Sequence, residues 1–412
     1  MATMNINFQR KADRYLGTFI CWLLSLFHRE SQDEDDGFQA KRFLVILPSK
    51  TGSLVLAYPM FRQLKNQYPG AILYGLLFEK NTEVLTLLDI IPLENIFTIR
   101  DTSFAAFIVD GIRALNHVRK QKMDVVIDCE LFARISSIFS FLSGARIRVG
   151  FDAHTQEGLY RGSFINRPVL YNPYHHISRQ FLSLVAAIDS VSMPKVKQLP
   201  ARSNLKPPRI DFARDEIESM QSRLRADFKA AAHKPLVLIY PGGGTLPIRA
   251  WPRSYYSQIA GELIKKGYAV GVVGRAQDRE LATAIQSECN NPACLDLTGH
   301  TPTVRALMLI FQFAALLITN DGGPAHFAAL TPIPTILFYG PETPDLYSPV
   351  DEKATIFYNP LPCSPCLTAY NHRSSPCDGD NLCLKQIPPE HVLKKALEIL
   401  QPSKLQPEKA AH

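Results

Sequence analysis

The chain lacks an apolar run long enough to cross a bilayer. The apolar core of its amino-terminal segment, Leu16 to Phe27, is about half of the ~20 residues that a spanning helix needs. It also lacks the small-residue cleavage site of a secretory leader; an acidic run, Asp33 to Asp36, follows instead. A cytoplasmic location is therefore expected. No Lys/Arg cluster is interleaved with aromatics, although the formal net charge is +7. That argues against a nucleic-acid groove, and no nucleic-acid partner is expected. The mild basic excess fits either a solvated surface or an enzyme that handles phosphorylated or anionic membrane-surface substrates. No internal repeat stands out.

What the chain does have is length and apolar content. Its 412 residues suggest two or three domains, and 46% hydrophobic residues can bury large cores. Apolar β runs alternate with helix-like segments, which argues an α/β fold with a doubly wound parallel sheet twice over. The expected divisions are 1–40, an amphipathic helix and acidic linker; 41–189, a first Rossmann-like domain; 190–234, a polar, proline-bearing linker and lead-in helix; 235–400, a second Rossmann-like domain with a Cys-rich loop at 360–387; and 401–412, a tail. In residues 8–29, Arg10, Lys11 and Arg14 precede the apolar core that carries Trp22 and Phe27. Such a helix either lies in a membrane interface or packs on the protein body or a partner chain. The first reading makes the protein peripheral on the inner face of the cytoplasmic membrane.

The most informative stretch runs from Leu317 to Pro341, LITNDGGPAHFAALTPIPTILFYGP. It reads as a buried strand, a tight Asp-Gly-Gly-Pro turn, a short helix and a second strand. The turn stands at the carboxyl end of a strand, where open α/β sheets bind ligands. Gly322 and Gly323 allow close backbone approach, and amides at a helix start favour phosphate. Asp321 suits sugar hydroxyls, or is only a helix cap, and His326 lies near the same mouth. A second stretch, LVLIYPGGGTLPIRAWP, places Gly242, Gly243, Gly244 and Thr245 after an apolar β run, with Arg249 close behind as a permanent charge for a diphosphate.

Four of the eight cysteines, Cys363, Cys366, Cys377 and Cys383, form C-x2-C-x10-C-x5-C inside a polar loop. One tetrahedral metal held by four thiolates would order that loop, zinc by default or iron; disulfides and free thiols are the alternatives. His372 lies in the same loop as a substitute ligand. Cys21, Cys129, Cys289 and Cys294 read as packing thiols.

The segments YPGGG…RAWP, VVGRAQDRE, LDLTGHT and TNDGGPAHFAALTPIPTILFYGP occur in the order and spacing of glycosyltransferase family 9, the ADP-heptose:lipopolysaccharide heptosyltransferases and their relatives. FLVILPSKTGSLVLAYPMFRQLKNQYPGAIL, MDVVIDCELFARIS and RIRVGFD resemble the amino-terminal half of that family. The resemblance covers about residues 41 to 400. It implies the GT-B arrangement of two Rossmann-like domains facing across a cleft. It implies inverting transfer of a heptose, or a related sugar, from an ADP-sugar donor to a glycan or lipid-linked acceptor of the lipopolysaccharide type, without a catalytic metal. It also supports a structural metal at the cysteine loop. Arg249 stands where the family carries its cationic phosphate ligand, and Thr298 and Gly299 where it lines the adenine site. Asp278 or Glu280 is placed to bind ribose hydroxyls.

One departure matters. The family carries Gly-Asp in its first loop, and that aspartate is its expected base. Here the pair is Gly52-Ser53, and Leu47 replaces an earlier basic residue, with Lys50 nearby. Either the base has moved to Glu130 or Asp128 at the end of MDVVIDCE, or Ser53 only positions the acceptor, or the chain binds a nucleotide sugar without turning it over. A transferase for another nucleotide sugar is the further alternative. Arg134, Arg161, Arg167, His175, His176 and Arg179 in the amino-terminal half would meet an anionic acceptor or form a solvated basic face.

Overall fold

The computed structural model describes residues 6–27, 38–48, 51–152, 160–190, 192–198, 205–244, 246–371 and 373–401, with the side chains of 6–8 left aside. Thr245, Lys50, His372 and the acidic run 33–36 lie outside them.

Two six-stranded sheets organise the chain. The first contains β1 (Arg42–Ile46), β2 (Ile72–Phe78), β3 (Ile96–Ile99), β4 (Val125–Asp128), β5 (Ile147–Asp152) and β6 (Arg167–Leu170), in the order β3-β2-β1-β4-β5-β6. The second contains β7 (Leu236–Tyr240), β8 (Ala269–Val272), β9 (Cys294–Asp296), β10 (Leu316–Asn320), β11 (Thr335–Tyr339) and β12 (Ala354–Tyr358), in the order β12-β11-β10-β7-β8-β9. Counted from its own first strand, the second sheet repeats the order of the first. All ten pairings are parallel. This is the doubly wound Rossmann-like order, twice.

The strand residues explain the topology. The runs Phe43–Ile46, Val125–Asp128, Leu316–Asn320 and Thr335–Tyr339 are buried at every position, as strands covered by helices on both faces require. In each sheet the connection changes direction between two central neighbours. These are β1 and β4 in the first sheet (Ile46 beside Asp128) and β7 and β10 in the second (Ile239 beside Ile318). The loops at the carboxyl ends of those strands are where such sheets bind ligands.

The chain separates into two compact units. The first comprises Met1–Ile210, Thr343–Val350 and Pro365–Pro376; the second comprises Asp211–Glu342, Asp351–Ser364 and Cys377–His412. Within the first unit the two late segments are fastened by specific contacts. Nε2 of His176 bonds the Ser348 carbonyl at 2.8 Å, and the Tyr370 ring stacks on Phe132 at 5.7 Å. The core of the second unit is built around Trp251. Its ring stacks on Phe338 at 4.3 Å, and its Nε1 donates to the Ile387 carbonyl at 3.1 Å.

The amino-terminal segment is helical over Ile6–Ala12 and Thr18–Ser25, joined by a π turn at Asp13–Gly17. It packs on the body of the first unit. Asp13 Oδ1 accepts from the backbone amides of Arg134 and Ile135, both at 2.9 Å, and so caps the helix Arg134–Leu142 from outside it. A Cβ on Gly17 would stand 2.8 Å from Arg134 Cβ, so the close approach depends on the glycine. Cys21 is fully buried with Ile138, Phe164 and Ile165. No helix among the described residues is long and apolar enough to cross a membrane.

Candidate active site

The loops after β7, β10 and β11 meet through one buried ion cluster. After β7 the chain turns through Pro241, Gly242, Gly243 and Gly244. Gly244 has φ +62°, a conformation that favours glycine. A Cβ on Gly243 would lie 2.7 Å from both the Leu246 carbonyl oxygen and Pro247 Cα, so a side chain there would push the backbone aside. A single turn, Pro247–Arg249, then presents Arg249.

Asn320, the last residue of β10, ties this loop to the sheet. Its Nδ2 donates to the carbonyls of Pro241 at 3.0 Å and Gly242 at 3.1 Å. Its Oδ1 accepts from the Trp251 amide at 2.9 Å and from the Tyr256 hydroxyl at 3.0 Å. All of these groups are buried, and each would otherwise lose its bonds to water uncompensated. From the sequence alone Asn320 reads only as the end of a strand. The available signal was an amide ending an otherwise apolar run, immediately before Asp321.

Arg249 Nη2 lies 2.8 Å from Glu342 Oε1, and Nη1 lies 3.5 Å from Asp321 Oδ2. The three side chains are 13%, 2% and 6% exposed, so one desolvated cation faces two desolvated carboxylates. Buried charges persist only when paired in this way. The Nε of Arg249 is buried and makes no hydrogen bond among the described residues. The Tyr339 hydroxyl is held well above its ordinary pKa, first by burial and then by the Asp321 and Glu342 charges, and it hydrogen-bonds Asp321. Gly323 opens the short helix Gly323–Ala328 with Gly322 just before it, and His326 is buried in that helix. Glu342 was not anticipated. It stands three residues past the end of β11, where the sequence shows only PET between turns.

The ends of β8 and β9 form a second, adjoining group. The Gly299 amide donates to the Gly274 carbonyl at 3.1 Å. A Cβ on Gly274 would lie 2.9 Å from Asp278 Cβ and 3.3 Å from Thr298 Cγ2. Asp278, Thr298 and Gly299 are therefore gathered around Gly274. One Asp278 oxygen accepts from the Arg275 amide at 2.8 Å. Glu280 stands on the helix Arg279–Cys289 and is exposed.

In the first unit, Ser53 lies in the opening turn of the helix Thr51–Gln67, which follows β1, and Glu130 follows β4. Ser53 and Glu130 are both half-buried. Asp128, the other carboxylate candidate for the base, is buried and paired. It is 1% exposed, forms an ion pair with fully buried Arg161, and accepts from the Glu130 amide at 3.0 Å. Burial pushes its carboxyl up to about 6, against the opposing pull of the Arg161 charge. Arg161 spends its other donors on the Glu130 carbonyl at 2.8 Å, the Phe151 carbonyl at 3.0 Å, the Ala133 carbonyl at 3.1 Å and the Ser136 hydroxyl at 2.9 Å.

Arg161 therefore neither meets an acceptor nor lies on a solvated face. The same correction applies to Arg134, whose Nε donates to the Tyr160 carbonyl at 3.1 Å, and to Arg167, whose Nη1 donates to the Asn166 carbonyl at 3.2 Å; both are buried. Guanidinium groups satisfied by carbonyls are braces between loops. His175, His176 and Arg179 remain half-buried, with His176 bonded to Ser348 as described. Leu47 is buried, its amide donating to the Leu76 carbonyl.

The expected tetrathiolate is not assembled. No three His, Cys, Asp or Glu side chains among the described residues converge as a ligand set, and none of the eight cysteines is joined in a disulfide. Cys363 and Cys377 are exposed. Cys366 Sγ accepts from the Ser375 hydroxyl at 3.1 Å, and Cys383 is buried in the core beneath Gly340. The described residues as placed do not fit a bound metal.

Comparison with known proteins bears on the family and the fold. The family model described as glycosyltransferase family 9 (heptosyltransferase) matches residues 112–374, more than half of the chain. Lipopolysaccharide heptosyltransferase 2 of Salmonella typhimurium (strain LT2) is 26% identical over 365 residues, 87% of this chain and 98% of that protein. Among solved structures, E. coli ADP-heptose lps heptosyltransferase II matches with a TM-score of 0.66 at 21% identity, covering 87% of this chain and 98% of that one. E. coli heptosyltransferase WaaC, solved with ADP-2-deoxy-2-fluoro heptose, matches with a TM-score of 0.58 at 15% identity, covering 87% and 99%.

Proposed function

The chain belongs to glycosyltransferase family 9, and we propose that it transfers a heptose from ADP-heptose, with inversion, to a sugar hydroxyl of a lipopolysaccharide-type acceptor. The observation that carries this reading is the buried Arg249–Asp321–Glu342 cluster, set against the glycine loop where the second sheet changes direction.

In this reading each group has one task. The amides of Gly242, Gly243 and Gly244, with Thr245, receive the diphosphate, and the unpaired Nε of Arg249 supplies a fixed donor toward it. As the bond from the anomeric carbon to the diphosphate oxygen breaks, negative charge grows on the leaving ADP. A cradle already oriented by Asn320 and Glu342 meets that charge without reorganising. Asp321, steadied by Tyr339, accepts from sugar hydroxyls, and Gly322, Gly323 and His326 shape the same mouth. Thr298, Gly299 and Asp278 take the nucleoside, and Glu280 has no part in it.

On the acceptor side, Glu130 removes the hydroxyl proton as the oxygen attacks the anomeric carbon, and Ser53 orients that hydroxyl. Glu130 is favoured over Asp128 because Asp128 is already committed to Arg161. A lipid-borne acceptor puts the reaction at the cytoplasmic face of a membrane, with the protein peripheral to it.

Two measurements test the proposal. In a thermal-shift and calorimetric panel, ADP and ADP-heptose should stabilise the protein selectively; preference for UDP or GDP would leave the transferase and remove the heptose. Glu130→Gln should lower kcat by roughly 10²- to 10⁴-fold, the usual contribution of a positioned base, with donor affinity unchanged. Full activity in that variant would eliminate Glu130 as the base.

A further inference from the structure

We infer that the amino-terminal helix seats the first unit on an anionic lipid bilayer by burying a preformed apolar strip in the interface. Tyr15, Leu16, Phe19, Trp22, Leu23, Leu26 and Phe27 are between 40% and 73% exposed. Their spacing puts them on one side of the helical segment. The opposite side is already occupied. Gly17 and Cys21 are buried, Ile20 and Leu24 pack on the Ile138–Phe164 cluster, and Ser25 Oγ lies 2.9 Å from the Tyr160 hydroxyl. The strip thus belongs to a helix fixed in place, not to one still seeking its core.

Charge selects the occupant. Lys11 and Arg14 are exposed at the start of the strip. The single acid among residues 6–27 is Asp13, and its carboxylate is turned inward onto the amides of Arg134 and Ile135. The outward face therefore offers cations and apolar rings without an anion. Set strip against strip, a second copy would oppose like cations, whereas an anionic headgroup layer complements both features. Trp and Tyr suit that boundary, having an apolar body and a polar tip. The acidic run 33–36 follows nearby in sequence, so insertion of the apolar face carries more of the binding than charge does. The inference rests on the proposed function only in that a lipid-borne acceptor gives the surface a use.

Full-length protein should float with phosphatidylcholine vesicles containing phosphatidylglycerol, and more weakly with phosphatidylcholine alone. Of the two tryptophans, Trp251 is already 1% exposed, so a blue shift of emission on vesicle addition would come from Trp22. The triple variant Trp22→Ser/Leu26→Ser/Phe27→Ser alters only exposed positions. It should keep the wild-type melting temperature and turnover on a soluble acceptor fragment, yet lose at least about tenfold in vesicle partitioning. Lys11→Glu/Arg14→Glu should abolish the preference for anionic vesicles. Wild-type protein that ignores both vesicles, or a triple variant that binds as well as wild type, would overturn the inference. Wild type that ignores vesicles but changes from dimer to monomer on triple substitution would assign the strip to a second copy. Because binding is read without turnover, failure of the transferase reading would leave this result standing.

Discussion

Replacing Asn320 by Asp is the sharpest available probe of the donor cradle, because it changes one atom and almost no volume. Asn320 donates its shorter hydrogen bonds to the carbonyls of Pro241 and Gly242, with a longer one to that of Tyr240, and accepts from the Trp251 amide and the Tyr256 hydroxyl. An ionised carboxylate keeps the second pair and destroys the first, setting an oxygen against two buried carbonyl oxygens. Leaving a buried polar group unsatisfied costs about 1–3 kcal/mol, so two such groups cost about 2–6 kcal/mol. That is a large part of the ~5–15 kcal/mol that stabilises an ordinary domain. Asn320→Asp protein can escape part of the penalty by taking up a proton, and its deficit should therefore shrink at low pH. The assay is urea unfolding of wild type and Asn320→Asp at neutral and mildly acidic pH, with ADP titration by calorimetry alongside. The expected result is a lower unfolding midpoint, partly restored by acid, and weaker ADP binding from a loosened glycine loop. Unfolding within about 0.5 kcal/mol of wild type, the range of an inconsequential surface change, together with unchanged ADP affinity, would refute the assigned role of Asn320.

Two further outcomes follow from the charged groups. Arg249→Met would strand Glu342 and Asp321 together in a desolvated site. It should cost about 3–5 kcal/mol in denaturant unfolding, as removal of one partner from a buried pair does, and should abolish ADP binding; an ADP affinity equal to wild type would remove Arg249 from the donor site. Asp110 is held down at about 2, first by the side-chain hydrogen bond from Arg100, against an ordinary value of 3.8. Its carboxylate therefore contributes stability that is complete above its unfolded value and lost as pH falls through about 2; an Arg100→Gln variant should show a shallower acid-unfolding slope in that window, and an unchanged slope would contradict the pairing.

The parts of the molecule that were legible in the sequence are those set by local pattern. The strands LVLIY, LLITN and TILFY are largely apolar runs next to Gly- or Pro-bearing turns, and each is a buried parallel strand. The glycine loop and the Asp-Gly-Gly-Pro turn announce themselves by composition, and the fold brings them together. Groups whose role depends on distant partners were not legible. Arg161 is separated from Asp128 by 33 residues, and nothing near it distinguishes a buried brace from a surface cation. Glu342 meets Arg249 across 93 residues. The cysteine spacing suggested a ligand set, but spacing along a chain does not specify convergence in space. Cys383 is drawn into the hydrophobic core with Leu384 and Ile387 instead.

The two sheets share one strand order and use the corresponding ends differently, and this bears on the missing aspartate. In the second sheet, the ends of β7, β10 and β11 concentrate unlike charges and keep them partly unsatisfied, as Arg249 Nε shows. In the first sheet, the end of β4 holds a carboxylate that is fully spent. Asp128 and Arg161 neutralise each other, and Arg161 goes on to fix the backbone carbonyls of Glu130 and Ala133. The Glu130 backbone is bonded on both sides, its amide to Asp128 and its carbonyl to Arg161, which leaves the main chain rigid beneath a half-buried carboxylate. A base must be held in place yet remain reachable, and a braced backbone with an accessible side chain meets both needs. In the proposed mechanism Gly52-Ser53 leaves no carboxylate after β1, and Glu130 at the neighbouring strand end takes that task. If that reading holds, Arg161→Lys should lower kcat through Glu130 while leaving ADP affinity intact, because lysine cannot reproduce the guanidinium fork that binds both carbonyls. A loss confined to thermal stability, with kcat unchanged in the folded fraction, would reduce Arg161 to a structural brace and separate it from the chemistry.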